Sequence, residues 1–180
     1  MLDKVSEPTE IAEARRKVLA IGPKFDPDIL ELTRQIYAPL VHKPKSAVKV
    51  TADVAYDSDT RQKLDVYQPA QPTGAMIVFI PGGGFVGGDK NGDNVFYPNL
   101  GNYFADHGIL TIVANYRLAP GAVYPAGAQD VGGAIAWAQA NAKKHGSDPN
   151  RIVVFGQSAG ATHVANYLLD PQFHKDGSSG

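Results

Sequence analysis

The chain has 180 residues, about the length of one domain. Its 17 basic and 18 acidic residues give a net charge of −1, which argues against nucleic-acid binding and against attraction to an anionic membrane. It contains no cysteine, so disulfides, thiolate metal sites and cysteine nucleophiles are excluded.

The first residues do not resemble a secretory signal. Glu7, Glu10 and Glu13 lie where a signal peptide needs an apolar stretch. No apolar run approaches the roughly 20 residues that span a bilayer. We therefore expect a soluble, cytoplasmic protein without a membrane span.

Two helical segments are predicted first. Apolar residues recur at spacings of three and four over residues 9–20 and 28–40, and Gly22-Pro23 separates the two segments. The second segment has the clearer apolar stripe, and we expect that apolar face to pack over another part of the protein. We treat residues 1–45 as an N-terminal helical segment.

Strands and helices then alternate. Strands are expected at residues 48–54, 63–68, 75–80, 109–114 and 152–155, and helices at 96–107, 126–145 and 160–169. Alternation of this kind predicts an α/β fold with a mostly parallel sheet and helices on both faces.

The pentapeptide Gly156-Gln157-Ser158-Ala159-Gly160 lies between the last predicted strand and the last predicted helix. This context is typical of a nucleophile elbow, in which a serine occupies a tight turn and small residues flank it. The helix N-terminus favours negative charge, and the N–H of Ala159 is a candidate oxyanion donor. The alternative is an ordinary Gly-Ser turn.

Pro81-Gly82-Gly83-Gly84-Phe85 directly follows the strand predicted at 75–80. Glycines let a backbone turn successive N–H groups toward one point, as an oxyanion requires. We select Gly83 and Gly84 as donors, and Phe85 as a candidate wall of an acyl pocket. A flexible loop or a phosphate cradle is the alternative, but no P-loop pattern is present.

These two motifs resemble the hormone-sensitive-lipase-like family of α/β-hydrolase esterases, together with Asn115–Pro120, Tyr124-Pro125-Ala126 and Asp148–Ile152. The resemblance covers residues 48–169. It implies an α/β-hydrolase fold, Ser158 as nucleophile, and an oxyanion hole formed by Gly83, Gly84 and Ala159. It also implies that N-terminal helices form part of a cap over the acyl site.

Two positions depart from the family pattern. Pro81 stands where the family usually has His, and Gln157 stands where it usually has Asp. Neither change removes a backbone donor. We expect them to alter fine geometry and substrate range rather than reaction type, with the rigidity of Pro81 bracing the loop.

A nucleophilic serine needs a general base and an acid that orients it, in the chain order Ser, Asp or Glu, His. Asp170 lies at the far end of the last predicted helix, about 15 Å from Ser158, and His163 lies about 140° around that helix. We therefore assign neither residue to the triad. The remaining candidates are not assigned to it either; they are Asp176, His174, His42, His107 and His145.

The family's acid and histidine follow later strands, so we expect residues 46–180 to be the N-terminal part of a catalytic domain, truncated after the elbow helix. An open sheet edge would then favour association. Asp130 is either a favourable charge at the start of a helix or a partner of Arg117. Asp89 and Lys90 are expected to be solvated loop charges, and the alternative is that they line the entrance of the site.

The predicted function is hydrolysis of a small carboxylic ester through an acyl-serine intermediate, without metal or cofactor. An amidase or formamidase, and a non-catalytic module that retains the elbow, are the alternatives. An oligomer is compatible with the sequence.

Overall fold

The computed structural model describes residues 8–24, 26–92 and 95–174, and the chain divides into two compact units, Met1–His42 and Lys43–Gly180. No helix of the described residues has the length and apolar character needed to cross a bilayer.

The first unit contains α1 (Thr9–Ile21) and α2 (Pro27–Tyr37). The Asp26 carboxylate caps α2 by accepting a hydrogen bond of 2.9 Å from the N–H of Ile29. The α-helix ends three residues before the predicted limit. The chain tightens into a 3₁₀ turn over Ala38–Leu40, because Pro39 lacks the N–H that would continue α2.

The second unit is built around a sheet. Its strands are β1 (Lys49–Ala55), β2 (Lys63–Gln68), β3 (Met76–Ile80), β4 (Leu110–Ala114) and β5 (Ile152–Gly156). Its helices are α3 (Phe96–Asp106), α4 (Ala126–Asn141) and α5 (Ala159–Leu169). The strand order is β1-β2-β4-β3-β5. Among the described residues, β2 alone runs against the other four strands.

Both faces of the sheet are covered by helices. Alternate residues of β3 point to opposite sides, so Val78 joins the core beneath α4 and α5, and Phe79 joins the core beneath α3. The α4 side contributes Val131 and Ala134, and the α3 side contributes Ala105. The predicted α/β class, with a mostly parallel sheet and helices on both faces, is confirmed.

Two elements differ from the predictions. The helix predicted over 126–145 stops at Asn141 and ends in a 3₁₀ turn over Lys143–His145, since Gly146 adopts a left-handed φ of 73°. The alternation at 48–54 predicted a regular half-buried strand. Instead β1 is bulged, Asp53 has a φ of 57°, and Val54 is its only partly buried residue.

Candidate active site

Ser158 lies in the two-residue connection between β5 and α5, with φ 54° and ψ −121°. Left-handed backbone of this kind costs about 1–3 kcal/mol in a residue other than glycine. The surrounding structure therefore holds the serine in a strained conformation at the start of a helix.

The glycines on either side of Ser158 are sterically required. A methyl group built on Gly156 would lie 2.5 Å from the carbonyl carbon of Gly160, and one built on Gly160 would lie 2.2 Å from the carbonyl oxygen of Ile80. The turn is closed by the N–H of Gly160, which donates to the carbonyl of Gln157 at 2.9 Å. The elbow is thus pressed against the end of β3.

Ala159 is the first residue of α5 and is buried. Its N–H has no acceptor within the part of the chain that the structure describes. Since α5 is 11 residues long, its N-terminal dipole favours negative charge next to Ser158.

The glycine-rich loop follows β3 and lies against the elbow. A methyl group on Gly82 would lie 2.0 Å from the side-chain oxygen of Gln157. Gly83 and Gly84 have φ values of 149° and 60°, and among the described residues neither of their N–H groups has a protein acceptor. Two free donors are therefore carried by a loop in contact with the serine turn.

Tyr97, on α3, bridges this loop and the elbow. Its hydroxyl accepts a hydrogen bond from the N–H of Gly82 at 3.2 Å and donates one to Oε1 of Gln157 at 3.0 Å. The ring packs against Phe79, with centroids 5.4 Å apart. This bridge supports the loop next to Pro81 and Gln157, the two positions that depart from the family pattern. The sequence did not predict it.

The loop then folds back on itself. The N–H of Gly87 donates to the carbonyl of Gly83 at 3.0 Å, and a methyl group on Gly88 would lie 2.0 Å from the carbonyl oxygen of Gly82. Arg61 donates to the carbonyl of Gly88 at 2.8 Å. We call residues 87–90 the return limb. Its first two residues, Gly87 and Gly88, pack directly on Gly82 and Gly83, and Gly83 carries one of the two donors.

Lys90 ends the return limb and is buried, which corrects the expectation of a solvated charge. Its ammonium lies 2.8 Å from Oδ1 of Asp53 and 2.9 Å from Oδ1 of Asp65. Burial lowers the pKa of Lys90, but the two carboxylates more than offset this and hold it above its usual value. Asp89 remains partly exposed and accepts from Nδ2 of Asn115 at 2.7 Å.

His163 is a packing residue. Its ring makes edge contacts with Phe85 and Tyr116 at centroid distances of 5.3 and 4.6 Å. A methyl group on Gly127 would lie 2.2 Å from its Cε1. Burial lowers the pKa of His163.

No histidine is hydrogen-bonded to Ser158 within the described residues. Asp170 accepts from the hydroxyl of Tyr124 at 3.2 Å, at the opposite end of α5. Asp176 and the side chain of His174 lie outside the described residues. The region holds a serine and backbone donors but, in its described part, no assembled triad.

Asp130 is the partner of Arg117, the second of the two roles considered for it. Its buried carboxylate lies 2.7 Å from a guanidinium nitrogen of Arg117 and accepts from the backbone N–H of the same residue at 2.7 Å. Gln62 donates to it at 2.8 Å. This pair anchors the segment after β4.

A cavity of about 350 Å³ opens beside the loop. Phe85 and Thr162 line it, and Thr162 is one helical turn from Ser158. Val123 and Tyr124 also line it. A larger cavity of about 560 Å³ lies between α4 and the far end of α5, away from the serine, and contains none of these residues.

Solved structures share this fold. Esterase B from Lactobacillus rhamnosis superimposes with a TM-score of 0.65 at 23% identity, covering 94% of this chain and 53% of that one. A truncated carbohydrate esterase from gut microbiota gives a TM-score of 0.58 at 27% identity, covering 69% and 44%. The first likeness concerns the fold alone.

Curated relatives share sequence as well. Esterase LipC of Mycobacterium tuberculosis is 37% identical over 130 residues, covering 68% of this chain and 31% of LipC. Isoprenylcysteine alpha-carbonyl methylesterase ICME of Arabidopsis thaliana is 32% identical over 130 residues, covering 71% and 29%. The chain therefore spans about 30% of the length of these relatives.

The BD-FAE family model matches residues 64–169, from β2 to the end of α5. The match includes the glycine-rich loop, the return limb and the serine elbow. The chain belongs to the BD-FAE family of α/β-hydrolase esterases.

Proposed function

We propose that the protein is a carboxylic-ester hydrolase that acts through an acyl intermediate on Ser158. The observation that carries the proposal is the strained serine at the start of α5, beside a loop whose Gly83 and Gly84 N–H groups have no protein acceptor among the described residues. The relatives named as esterases support the same reaction class.

In the proposed reaction, the Ser158 Oγ attacks the ester carbonyl carbon while a general base takes its proton. The carbonyl oxygen becomes an oxyanion and accepts hydrogen bonds from the N–H groups of Gly83, Gly84 and Ala159. Collapse of this intermediate breaks the ester C–O bond and releases the alcohol, which takes the proton from the base. Water, activated by the same base, then hydrolyses the acyl-serine.

The donors act because they are fixed before the charge develops. One oxyanion donor typically stabilises the transition state by about 3–4 kcal/mol. The dipole of α5 adds positive potential at Ala159, whose N–H has no acceptor among the described residues.

We infer that the general base and the acid that orients it come from beyond these 180 residues. The support is that the chain spans about 30% of its curated relatives and that no histidine is hydrogen-bonded to Ser158 within the described residues. We further propose that residues 46–180 are the N-terminal part of the catalytic domain and that residues 1–45 are a cap-like segment.

A fluorophosphonate probe tests the nucleophile in the intact protein. We expect mass spectrometry to locate the adduct on Ser158, and Ser158→Ala to abolish it. Ser58→Ala is the matched control, since Ser58 is an exposed serine like Ser158. The control is expected to be labelled like the wild type.

Absence of labelling in the wild type would contradict the esterase proposal, and labelling that survives Ser158→Ala would identify another nucleophile. A panel of matched esters, amides and formamides then tests the substrate class. Faster turnover of amides or formamides than of esters would replace the esterase proposal with an amidase.

A further inference from the structure

We propose that Lys90 is a positioning residue that holds the oxyanion donors of the glycine-rich loop in place. The inference rests on the proposed function, because it assigns the loop to the oxyanion. Lys90 itself does not contact the serine or the free donors; it acts through the return limb.

The first observation is the complete pairing of the Lys90 ammonium. Only 2% of its side chain is exposed, and it contacts carboxylate oxygens of Asp53 and Asp65 at 2.8 and 2.9 Å. With its amide oriented to satisfy both side-chain atoms, Asn91 accepts from the ammonium at 3.1 Å and donates to Oδ2 of Asp65 at 2.9 Å. All three ammonium protons thus have acceptors.

The second observation is where the paired carboxylates lie. Asp65 is buried on β2, and Asp53 lies at the bulge of β1 with a left-handed φ of 57°. Asp65 also accepts from the backbone N–H of Asp53 at 2.8 Å, which ties the bulge to β2. Lys90 therefore attaches the loop to the sheet through two strands.

A buried ion pair gives little net stability compared with apolar residues of similar volume. A fully satisfied polar network does, however, fix one arrangement of the groups it joins. We therefore assign the network to the placement of the loop rather than to the stability of the fold.

The third observation is that the position of Lys90 is transmitted to the donors by direct contacts. The backbone N–H of Lys90 donates to Oδ1 of Asn115 at 2.5 Å, which fixes the end of the return limb. Gly88 packs on the carbonyl of Gly82, and Gly87 donates to the carbonyl of Gly83. A shift of Lys90 would move the peptide groups next to the free N–H of Gly83.

The consequence for catalysis is specific. Donors that must reorganise during the reaction stabilise the transition state less than fixed donors do. Loss of the network is therefore expected to lower kcat and to leave KM nearly unchanged, because the loop donors act mainly on the oxyanion.

The test is the double variant Lys90→Met/Asp65→Asn in the intact protein. It removes the buried Lys90 ammonium together with the buried negative charge of Asp65. The side-chain amide oxygen introduced by Asp65→Asn can still accept from the N–H of Asp53. Lys49→Met, at an exposed position of β1, is the matched control. Three quantities are measured: amide hydrogen exchange at Gly87 and Gly82, kcat and KM for a small ester, and the melting temperature.

We expect exchange at Gly87 to accelerate by about tenfold or more, kcat to fall by about 10- to 100-fold, and KM to change by less than about threefold. The control should match the wild type in all three. Should the double variant fail to fold, Asp53→Asn removes one charge of the network at an exposed carboxylate and is expected to shift exchange and kcat in the same direction by about threefold.

Unchanged exchange at Gly87 would overturn the positioning role, whether or not the protein hydrolyses esters. Faster exchange with unchanged kcat would overturn it too, because the loop would then be loosened without consequence for the reaction. A wild type that neither labels at Ser158 nor hydrolyses esters would overturn the proposed function. The substrate-free exchange measurement distinguishes that result from a failure of the Lys90 network.

Discussion

The serine elbow and the glycine-rich loop meet at the same site but are held in different ways. The turn at Ser158 is fixed largely by its own neighbours, since Gly156 and Gly160 approach each other within one pentapeptide. The loop is fixed by side chains distant in sequence, among them Tyr97 and Lys90. The shape of the nucleophile turn is thus set within one pentapeptide that packs on the end of β3, whereas the proposed oxyanion side is held by side chains from several distant elements.

The largest effect is expected from substitution of an elbow glycine, where the elbow packs on the end of β3. In Gly160→Ala, the added methyl group would lie 2.2 and 2.4 Å from the carbonyl oxygens of Ile80 and Pro81. We expect a loss of about 3 kcal/mol or more in the free energy of unfolding, measured by urea denaturation. Gly121→Ala is the control, because its methyl group would meet, among the described residues, only the carbonyl oxygen of Leu118 at an ordinary contact distance of 3.7 Å. Equal stability of the two variants would show that the elbow is not packed as described.

The strain at Ser158 is measured by comparing two substitutions. Ser158→Ala and Ser158→Gly should both abolish fluorophosphonate labelling. The glycine variant should be more stable than the alanine variant by about 1 kcal/mol, since glycine adopts a φ of 54° without steric cost. Matching unfolding midpoints for the two variants would argue that the elbow stores no backbone strain.

Removal of the Tyr97 hydroxyl tests how the glycine-rich loop is held. Tyr97→Phe keeps the ring packing on Phe79 but removes the bridge between Gly82 and Gln157. We expect kcat to fall by roughly threefold to tenfold at constant KM, as for the loss of one hydrogen bond of about 1 kcal/mol. Tyr103→Phe on the same helix is the control. An unchanged kcat in Tyr97→Phe would show that the bridge does not position the loop.

The smallest expected effect is on the pH dependence of stability. Burial lowers the pKa of His163, so the unfolded chain binds a proton there more readily than the folded one. Stability contributed by the neutral ring is present above the unfolded pKa of about 6.5 and is lost as the pH falls below it.

His163→Asn should flatten the decline of the urea midpoint between pH 7.5 and 5.5. The change in slope is bounded by the one-proton limit of about 1.4 kcal/mol per pH unit. His145, whose pKa burial also lowers, keeps its own share of the slope. An unchanged slope in His163→Asn would contradict the lowered pKa of this half-buried ring.

The sequence was sufficient for features that depend on neighbouring residues. Apolar runs and their flanking turns predicted the order of the elements from β2 to α5. The five-residue spacing around Ser158 predicted a turn in which only small neighbours fit. These features are short-range, since a strand, a turn and a helix start are each encoded within a few residues.

Features that depend on distant contacts were not predicted. Nothing near Lys90 shows that a carboxylate on β2 and a bulge on β1 will meet its ammonium, and the regular alternation at 48–54 conceals that bulge. Tyr97 is one aromatic residue among several on α3, and its hydroxyl gains a role only when the helix packs beside the loop. Such contacts are set by tertiary structure.

The burial of Lys90 also makes it a chemical reporter. An ammonium that is 2% exposed and held by two carboxylates should resist amine-directed acylation, while exposed lysines such as Lys49 react. Covalent footprinting read by mass spectrometry would therefore register any opening of the loop as the appearance of a modified Lys90. The same side chain that anchors the loop thus reports, without any substrate, whether the loop is closed.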